Sequence, residues 1–107
     1  MRTSAAILVV EDEIDMLKGL SKTLSHEGYD VEGVGTGTEA IERLEQKVYD
    51  VVITDLKLPG PSGIEVLRKL KEVSPESEGI VITGFATVET AVEAMKLGAY
   101  DLSLIHI

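Results

Sequence analysis

Cysteine is absent from this sequence of 107 residues, which excludes a disulfide framework and a thiolate metal site. Positive charge is scarce, since 10 Lys and Arg stand against 19 Asp and Glu and the formal net charge is −9. Such an acidic surface repels phosphate backbones, so we expect no direct contact with nucleic acid. No apolar run approaches the ~20 residues that span a bilayer, and the run 5–10 is too short for a signal-peptide core. We therefore expect a cytoplasmic protein without membrane contact.

Stretches typical of strands and of helices alternate along the chain, which has the length of one small domain. Apolar runs predict buried strands at 6–10, 51–53 and 79–83, and an alternating run predicts a more exposed strand at 29–34. Four helices are predicted: one from Ile14 to His26, one capped by Thr36 or Thr38, one capped by Ser62 with Glu65 completing a capping box, and one that carries Val88 to Met95. This order indicates right-handed crossovers and a doubly wound parallel sheet with helices on both faces, that is, an α/β fold.

Oxygen-bearing side chains follow three of the predicted strands. Glu11-Asp12-Glu13 follows the first, Asp55 ends the third, and Thr83 ends the fourth. In parallel sheets of this kind, ligands bind where the carboxyl ends of the strands meet. Carboxylates that converge there repel each other unless a hard cation lies between them, and oxygen-only ligation favours Mg²⁺. A carboxylate beside Mg²⁺ can act as the nucleophile toward a phosphoryl donor.

Each of these residues also has an ordinary structural explanation. Glu11, Asp12 and Glu13 could simply cap the following helix, because anions are favourable at a helix N-terminus. Asp55 could be a turn residue, and Thr83 could be a strand-end hydroxyl without a further role. The combination of an acidic cluster, a single Asp and a Thr at three strand ends is what favours a shared site.

At this point the sequence resembles the receiver domain of response regulators from bacterial two-component systems, over residues 6–101. The motifs that carry the resemblance are Ile7–Glu13, Tyr49–Gly60 and Ile80–Gly84. The stretch 91–101 is similar to the NtrC-like subgroup, which joins a receiver to an ATPase and a DNA-binding domain. The resemblance implies a flavodoxin-like (CheY-like) fold with strand order 2-1-3-4-5, and a single receiver domain over 1–107.

The resemblance also implies roles for individual residues. Asp55 would accept a phosphoryl group from a sensor histidine kinase, and Thr83 would hydrogen-bond that group. Asp12 and Asp55 would bind Mg²⁺ directly, together with the backbone carbonyl of Lys57, and Glu11 would act on the metal through water. The partners of the domain would be the kinase and a transcription-activating effector region, and dimerisation on activation is an open option. A stand-alone receiver or a phosphorelay intermediate is the alternative output.

The C-terminal stretch departs from the family pattern. Counting from Thr83, the family's aromatic switch residue falls at Leu102, its lysine at Ile105 and its proline at His106. We therefore expect an altered last strand, no fifth helix and no working switch in the chain as given. The tail 102–107 is also what a transposon end used in preparing sequencing libraries encodes, so we interpret it as adapter read-through. A natural truncation with a coincidental tail is the alternative.

Two other functions are possible for a sheet of this topology. A phosphatase with an Asp nucleophile commonly needs a second acid two residues later, where this chain has Lys57. A flavin-binding module would need a Ser-, Thr- and Gly-rich loop after the first strand, where this chain is acidic. We therefore expect a switch and not an enzyme.

A separate expectation concerns Phe85. We expect its side chain to shield the phosphorylated state from water.

Overall fold

The structure, a computed structural model, describes residues 5–55, 58–83 and 103–106. Its strands are β1 (Ala6–Val10), β2 (Asp30–Val34), β3 (Val51–Asp55), β4 (Glu78–Thr83) and β5 (Ser103–His106), and its helices are α1 (Ile14–His26), α2 (Gly37–Gln46) and α3 (Gly63–Val73). The strands form one parallel sheet in the order β2-β1-β3-β4-β5. The predicted fold class and strand order are confirmed. The predicted helix over Val88–Met95 lies outside the described residues.

The hydrophobic core has two parts, one on each face of the sheet. Successive residues of a strand point to opposite faces, so β1 supplies Leu8 to one part and Val9 to the other. α1 covers one face, and its Leu20 and Leu24 are buried there. α2 and α3 cover the other face with Ala40, Leu44, Val66, Leu67 and Leu70. This two-sided burial explains why β1 and β3 are continuous apolar runs.

Two apolar residues in the first turns of α1 and α3 are exposed to solvent. Ile14 keeps the helical spacing of α1 but is 63% exposed, because it is the first residue of the helix at the carboxyl edge of the sheet. Ile64 lies in the first turn of α3 and is 37% exposed. The helical spacing predicted α1 and α3 correctly, but these two first-turn side chains are not part of the buried core.

All three described helices begin at a side-chain cap. Thr36 caps α2, where its hydroxyl accepts a hydrogen bond from the backbone N–H of Glu39 at 3.1 Å. Ser62 caps α3 and accepts from the backbone N–H of Glu65 at 3.4 Å. Each cap satisfies a backbone donor that the helix itself leaves unpaired. The sequence therefore placed the start of α3 correctly, and the structure decides for Thr36 over Thr38.

A polar cluster fastens the edge strand β2 to the rest of the fold. The carboxylate of Glu32 accepts hydrogen bonds from the Tyr49 hydroxyl at 2.8 Å and from the Arg43 guanidinium at 2.6 Å, and it also pairs with Lys47. The contact with Lys47 contributes most to lowering the pKa of Glu32 below its ordinary value. Burial raises the pKa of Tyr49, and its bond to Glu32 adds to that effect. The cluster joins β2, α2 and the segment before β3.

Candidate metal centre

The register of the central strands brings two acidic positions together. β1 and β3 are parallel neighbours, and Val10 is paired with Thr54. Glu11, the residue after β1, therefore lies beside Asp55, the last residue of β3. Thr54 is fully buried, and its hydroxyl donates a hydrogen bond to the backbone carbonyl of Asp55 at 2.9 Å. The end of β3 is thus held by a local contact as well as by the sheet.

Three carboxylates converge at this edge. One carboxylate oxygen from each of Glu11, Asp12 and Asp55 lies within 4.8 Å of the other two. Glu11 and Asp55 are partly buried, whereas Asp12 is exposed. An oxygen-only set of this kind suits a hard divalent cation such as Mg²⁺, which keeps several water ligands and needs few protein groups. The donor set of these three residues therefore fits the predicted metal.

The three acidic residues that follow β1 make two different kinds of contact. Glu13 is the N-cap of α1, and its carboxylate accepts hydrogen bonds from the backbone N–H groups of Asp15 at 3.1 Å and Met16 at 3.0 Å. The capping explanation is therefore correct for Glu13. Glu11 and Asp12 instead point their carboxylates toward Asp55. Spacing alone could not make this division, since any of the three acids can serve either purpose.

Burial and neighbouring negative charge both raise the pKa of the Glu11 carboxylate. Its pKa is raised from an ordinary value of 4.5 to about 7, chiefly by burial, with smaller contributions from the charge of Asp55 and from Asp12. A hydrogen bond from the backbone N–H of Glu13, 3.0 Å from the Glu11 carboxylate, opposes this rise. A partly buried carboxylate beside two others favours either a proton or a cation. The electrostatics of the cluster therefore point to cation binding.

The last two strands place the other predicted positions at the same edge. β4 ends at Thr83, and Asp55 is paired with Ile82, so Thr83 lies one residue beyond the level of Asp55. Ile82 is in turn paired with Ile105 of β5. The position at which the family lysine was expected is therefore level with Asp55, two strands away. The residue at this position is isoleucine, which carries no charge, as counting positions from Thr83 had predicted.

Several predicted positions lie outside the described residues. Lys57, Gly84, Phe85 and Leu102 belong to this group, and the side chain of Thr83 is likewise outside the description. The roles predicted for them, including the backbone carbonyl of Lys57 as a metal ligand, stay predictions.

Sequence reasoning missed one contact made by the loop between β3 and α3. The loop after β3 packs against the first turn of α2, where the carbonyl oxygen of Pro61 lies 2.1 Å from the point that a Cβ atom on Gly37 would occupy. No spacing rule connects residues this far apart in sequence. The one available signal was a glycine at the first position of a helix, where most residues would be tolerated.

Comparison with known proteins decides the family. The family model described as "Response regulator receiver domain" matches residues 7–103. The chain is a response regulator receiver domain. The receiver domain is 38% identical over 95 residues to the transcriptional regulatory protein ZraR of Klebsiella oxytoca, an NtrC-like regulator. That match covers 89% of this chain and 21% of ZraR, so the receiver domain spans about a fifth of the length of this relative.

Solved structures share the fold of the receiver domain. A CheY-like receiver domain protein from Methanospirillum hungatei has a TM-score of 0.78 at 30% identity, over 96% of this chain and 81% of that one. The response regulator TrrA from Thermotoga maritima, solved in complex with Mg²⁺ and beryllium fluoride, has a TM-score of 0.75 at 28% identity, over 96% and 87%. Among the helices within 5–55 and 58–83, none has the length and apolar character that a membrane crossing requires.

Proposed function

We propose that this receiver domain accepts a phosphoryl group on Asp55 in a reaction that depends on Mg²⁺. The observation that carries the proposal is the convergence of Glu11, Asp12 and Asp55, whose carboxylate oxygens lie within 4.8 Å of one another. Asp55 is the only one of the three that ends a strand between two neighbours of the sheet. Its position at the end of a central strand supports its assignment as the acceptor.

The family pattern implies a role for each carboxylate. An Asp55 oxygen forms a bond to phosphorus while the bond between phosphorus and the donor breaks, and the donor leaves with the electron pair. Mg²⁺, when bound, neutralises negative charge on the phosphoryl oxygens. Asp12 and Asp55 would hold the metal directly with the carbonyl of Lys57, and Glu11 would hold one of its water ligands. Thr83 would hydrogen-bond the transferred group.

The donor and the output follow from the family. Receiver domains interact with histidine kinases and with the effector domains of full-length regulators, and we propose a sensor kinase as the donor here. ZraR, of which this chain matches only a fifth, is a transcriptional regulatory protein. We therefore propose a transcription-activating effector region as the output in the cytoplasm. In a full-length regulator a domain of this kind would work as a switch with at most slow self-dephosphorylation, and not as an enzyme with a separate substrate.

The experiment that tests this is phosphorylation by acetyl phosphate, read by intact mass. With Mg²⁺ present, we expect the chain to gain the mass of one phosphoryl group, and we expect no gain with a chelator. Asp55→Asn should abolish the gain. Asp30→Asn is the matched control, since Asp30 is an exposed aspartate at the amino end of β2, away from the cluster. Equal labelling of both variants would contradict the assignment.

The uncharged residue at position 105 predicts that the chain as given binds the phosphoryl group weakly. A lysine there would supply a charge-assisted contact to the phosphoryl oxygens, worth about 1.5–3 kcal/mol. Because Ile105 is level with Asp55 through Ile82, Ile105→Lys should return that contact. We expect the variant to bind beryllium fluoride with Mg²⁺ about tenfold or more tightly than the parent, as 1.4 kcal/mol corresponds to tenfold. NMR titration measures both affinities, and equal affinities would contradict the prediction.

A further inference from the structure

The residue before Asp55 brings a hydroxyl group into an otherwise apolar strand. β3 begins with three apolar residues, and Thr54 follows them. Thr54 is completely buried, and its partners in the two neighbouring strands are Val10 and Val81. Both valines belong to the part of the core that α2 and α3 cover, and neither side chain can accept a hydrogen bond. Because a buried hydroxyl without a partner is unfavourable, a threonine at this position needs a partner from the backbone nearby.

The partner of the Thr54 hydroxyl is the backbone carbonyl of Asp55. The hydroxyl donates a hydrogen bond to that oxygen at 2.9 Å. The bond closes a ring that contains the side chain of Thr54, the peptide group between the two residues and the Cα atom of Asp55. Closing this ring restricts the ψ angle of Thr54 and both backbone angles of Asp55. Threonine suits this purpose, since branching at Cβ leaves its side chain few rotamers.

The hydrogen bond from Thr54 lies where the pairing of β3 with β1 stops. On the β4 side the paired residues extend to Asp55, whereas on the β1 side they end one residue earlier, at Thr54. β1 is also the strand that leads to Glu11 and Asp12. Their carboxylate oxygens lie within 4.8 Å of a carboxylate oxygen of Asp55. The bond therefore restrains the backbone of Asp55 on the side that faces the metal centre.

We infer that Thr54 is a positioning residue for Asp55. Its bond to the carbonyl restricts the backbone of Asp55, and the backbone angles set the direction in which the Cβ atom leaves the chain. The carboxylate is thereby held toward the other two acids of the cluster. The inference rests on the proposed function, because the cation and the phosphoryl group are what the position of this carboxylate would serve.

A purely structural role for Thr54 predicts a different outcome when its hydroxyl is removed. Valine has nearly the shape of threonine, and it favours both burial and the strand conformation. If the hydroxyl bond only satisfied a buried polar group, Thr54→Val would remove the group together with its need for a partner and leave the site unchanged. If the bond positions Asp55, the same substitution keeps the core filled but releases the acceptor. The two explanations therefore differ in Mg²⁺ affinity.

The test is a Mg²⁺ titration of the 107-residue chain, followed by amide NMR shifts and compared with urea unfolding. For Thr54→Val we expect the Mg²⁺ dissociation constant to rise about three- to tenfold, the net contribution of one hydrogen bond when about 1.4 kcal/mol is a factor of ten. Thr54→Ser keeps the hydroxyl and loses a buried methyl group. It should therefore unfold at a lower urea concentration and yet bind Mg²⁺ as the parent does.

Ile53→Val is the matched control. It removes a buried methyl group from the preceding residue of β3, on the opposite face of the sheet, and it changes no hydroxyl. Like Thr54→Ser, it should lower the stability and leave the Mg²⁺ dissociation constant unchanged. The expected pattern is thus weak Mg²⁺ binding in the variant that lacks the hydroxyl, and lower stability in the variants that lack a methyl group.

A second measurement needs no metal. The three-bond coupling between the amide and α protons of Asp55 depends on its φ angle. We expect this coupling to change in Thr54→Val and to stay at the parent value in Thr54→Ser. An unchanged coupling in Thr54→Val would mean that the hydroxyl does not restrain Asp55 and would overturn the inference.

Parent-like Mg²⁺ affinity in Thr54→Val would also overturn the inference, as would an equal loss of affinity in Ile53→Val or Thr54→Ser. If Thr54→Val does not fold, Thr54→Ala and Thr54→Ser replace it, since both lack the γ methyl group and they differ only in the hydroxyl. Equal Mg²⁺ affinities in that pair would count against the inference. Failure of the parent to bind Mg²⁺ or to be phosphorylated on Asp55 would instead reject the proposed function. The metal-free coupling would then still decide the role of Thr54, so the two failures are distinguishable.

Discussion

The raised pKa of Glu11 predicts that Mg²⁺ binding depends on pH near neutrality. With a pKa of about 7, Glu11 is roughly nine-tenths ionised at pH 8 and roughly one-tenth ionised at pH 6. Metal binding requires deprotonated ligands and displaces their protons. The ionised fraction falls about tenfold between these two pH values, so the Mg²⁺ dissociation constant should rise by up to about tenfold as the pH is lowered from 8 to 6.

The same shift predicts how the metal-free domain responds to pH. The folded-state pKa of Glu11 lies above its ordinary value of 4.5, so the folded state binds more protons than the unfolded state between these values. This contribution to stability is fully present below pH 4.5 and is lost as the pH rises through about 7. Mg²⁺ should offset the loss, since it binds the folded state and neutralises the cluster.

The assay is isothermal titration with Mg²⁺ at pH 6, 7 and 8, in buffers of different ionisation enthalpy so that proton release is measured as well. Thermal unfolding with and without Mg²⁺ gives the stability difference. Glu11→Gln is the control, because it keeps the shape of the side chain and cannot ionise. Its Mg²⁺ affinity should lose most of the pH dependence. The reasoning fails if the parent binds Mg²⁺ equally at pH 6 and pH 8, or if Glu11→Gln shows the same dependence.

Three further substitutions test the site and the fold. Asp12→Asn should weaken Mg²⁺ binding and phosphorylation together, and unchanged Mg²⁺ affinity on titration would reject Asp12 as a ligand. Tyr49→Phe removes the 2.8 Å hydrogen bond to Glu32 and should lower the free energy of unfolding by about 1–2 kcal/mol in urea titration, whereas no change would mean that the bond is not formed. Gly79→Ala places a Cβ 2.4 Å from a methyl group of the buried Leu67 and should cost about 1–3 kcal/mol. The double variant with Leu67→Ala should then be less destabilised than the two separate losses added together, and simple additivity would contradict the contact.

The sequence alone predicted the alternation of strands and helices, which the described elements confirm, and it predicted Asp55 as the acceptor. β1 and β3 are buried on both faces, and a strand in that environment has to be a continuous apolar run, which is visible without a structure. Asp55 interrupts such a run at its end, and Ser62 and Thr36 are capping residues whose preference is local. Local rules therefore sufficed for these features, and the family motifs supplied the expected strand order.

The tertiary structure decided which polar groups meet. Glu11 and Glu13 are chemically alike and two residues apart, yet one faces Asp55 and the other caps α1. That division depends on the pairing of Val10 with Thr54 and on the direction in which α1 leaves the sheet. The raised pKa of Glu11 likewise needs both burial and the charge of Asp55, from a different strand.

The contact between Gly37 and Pro61 was also beyond the reach of the sequence. Gly37 opens α2 and Pro61 precedes α3, so their meeting depends on how both crossovers return over the same face of the sheet. A helix start tolerates many residues when only local propensity is considered. Local chemistry therefore determined where the strands and helices lie and which carboxylate ends β3. Only the packed sheet, which sets distances between residues remote in sequence, decided which groups surround that carboxylate.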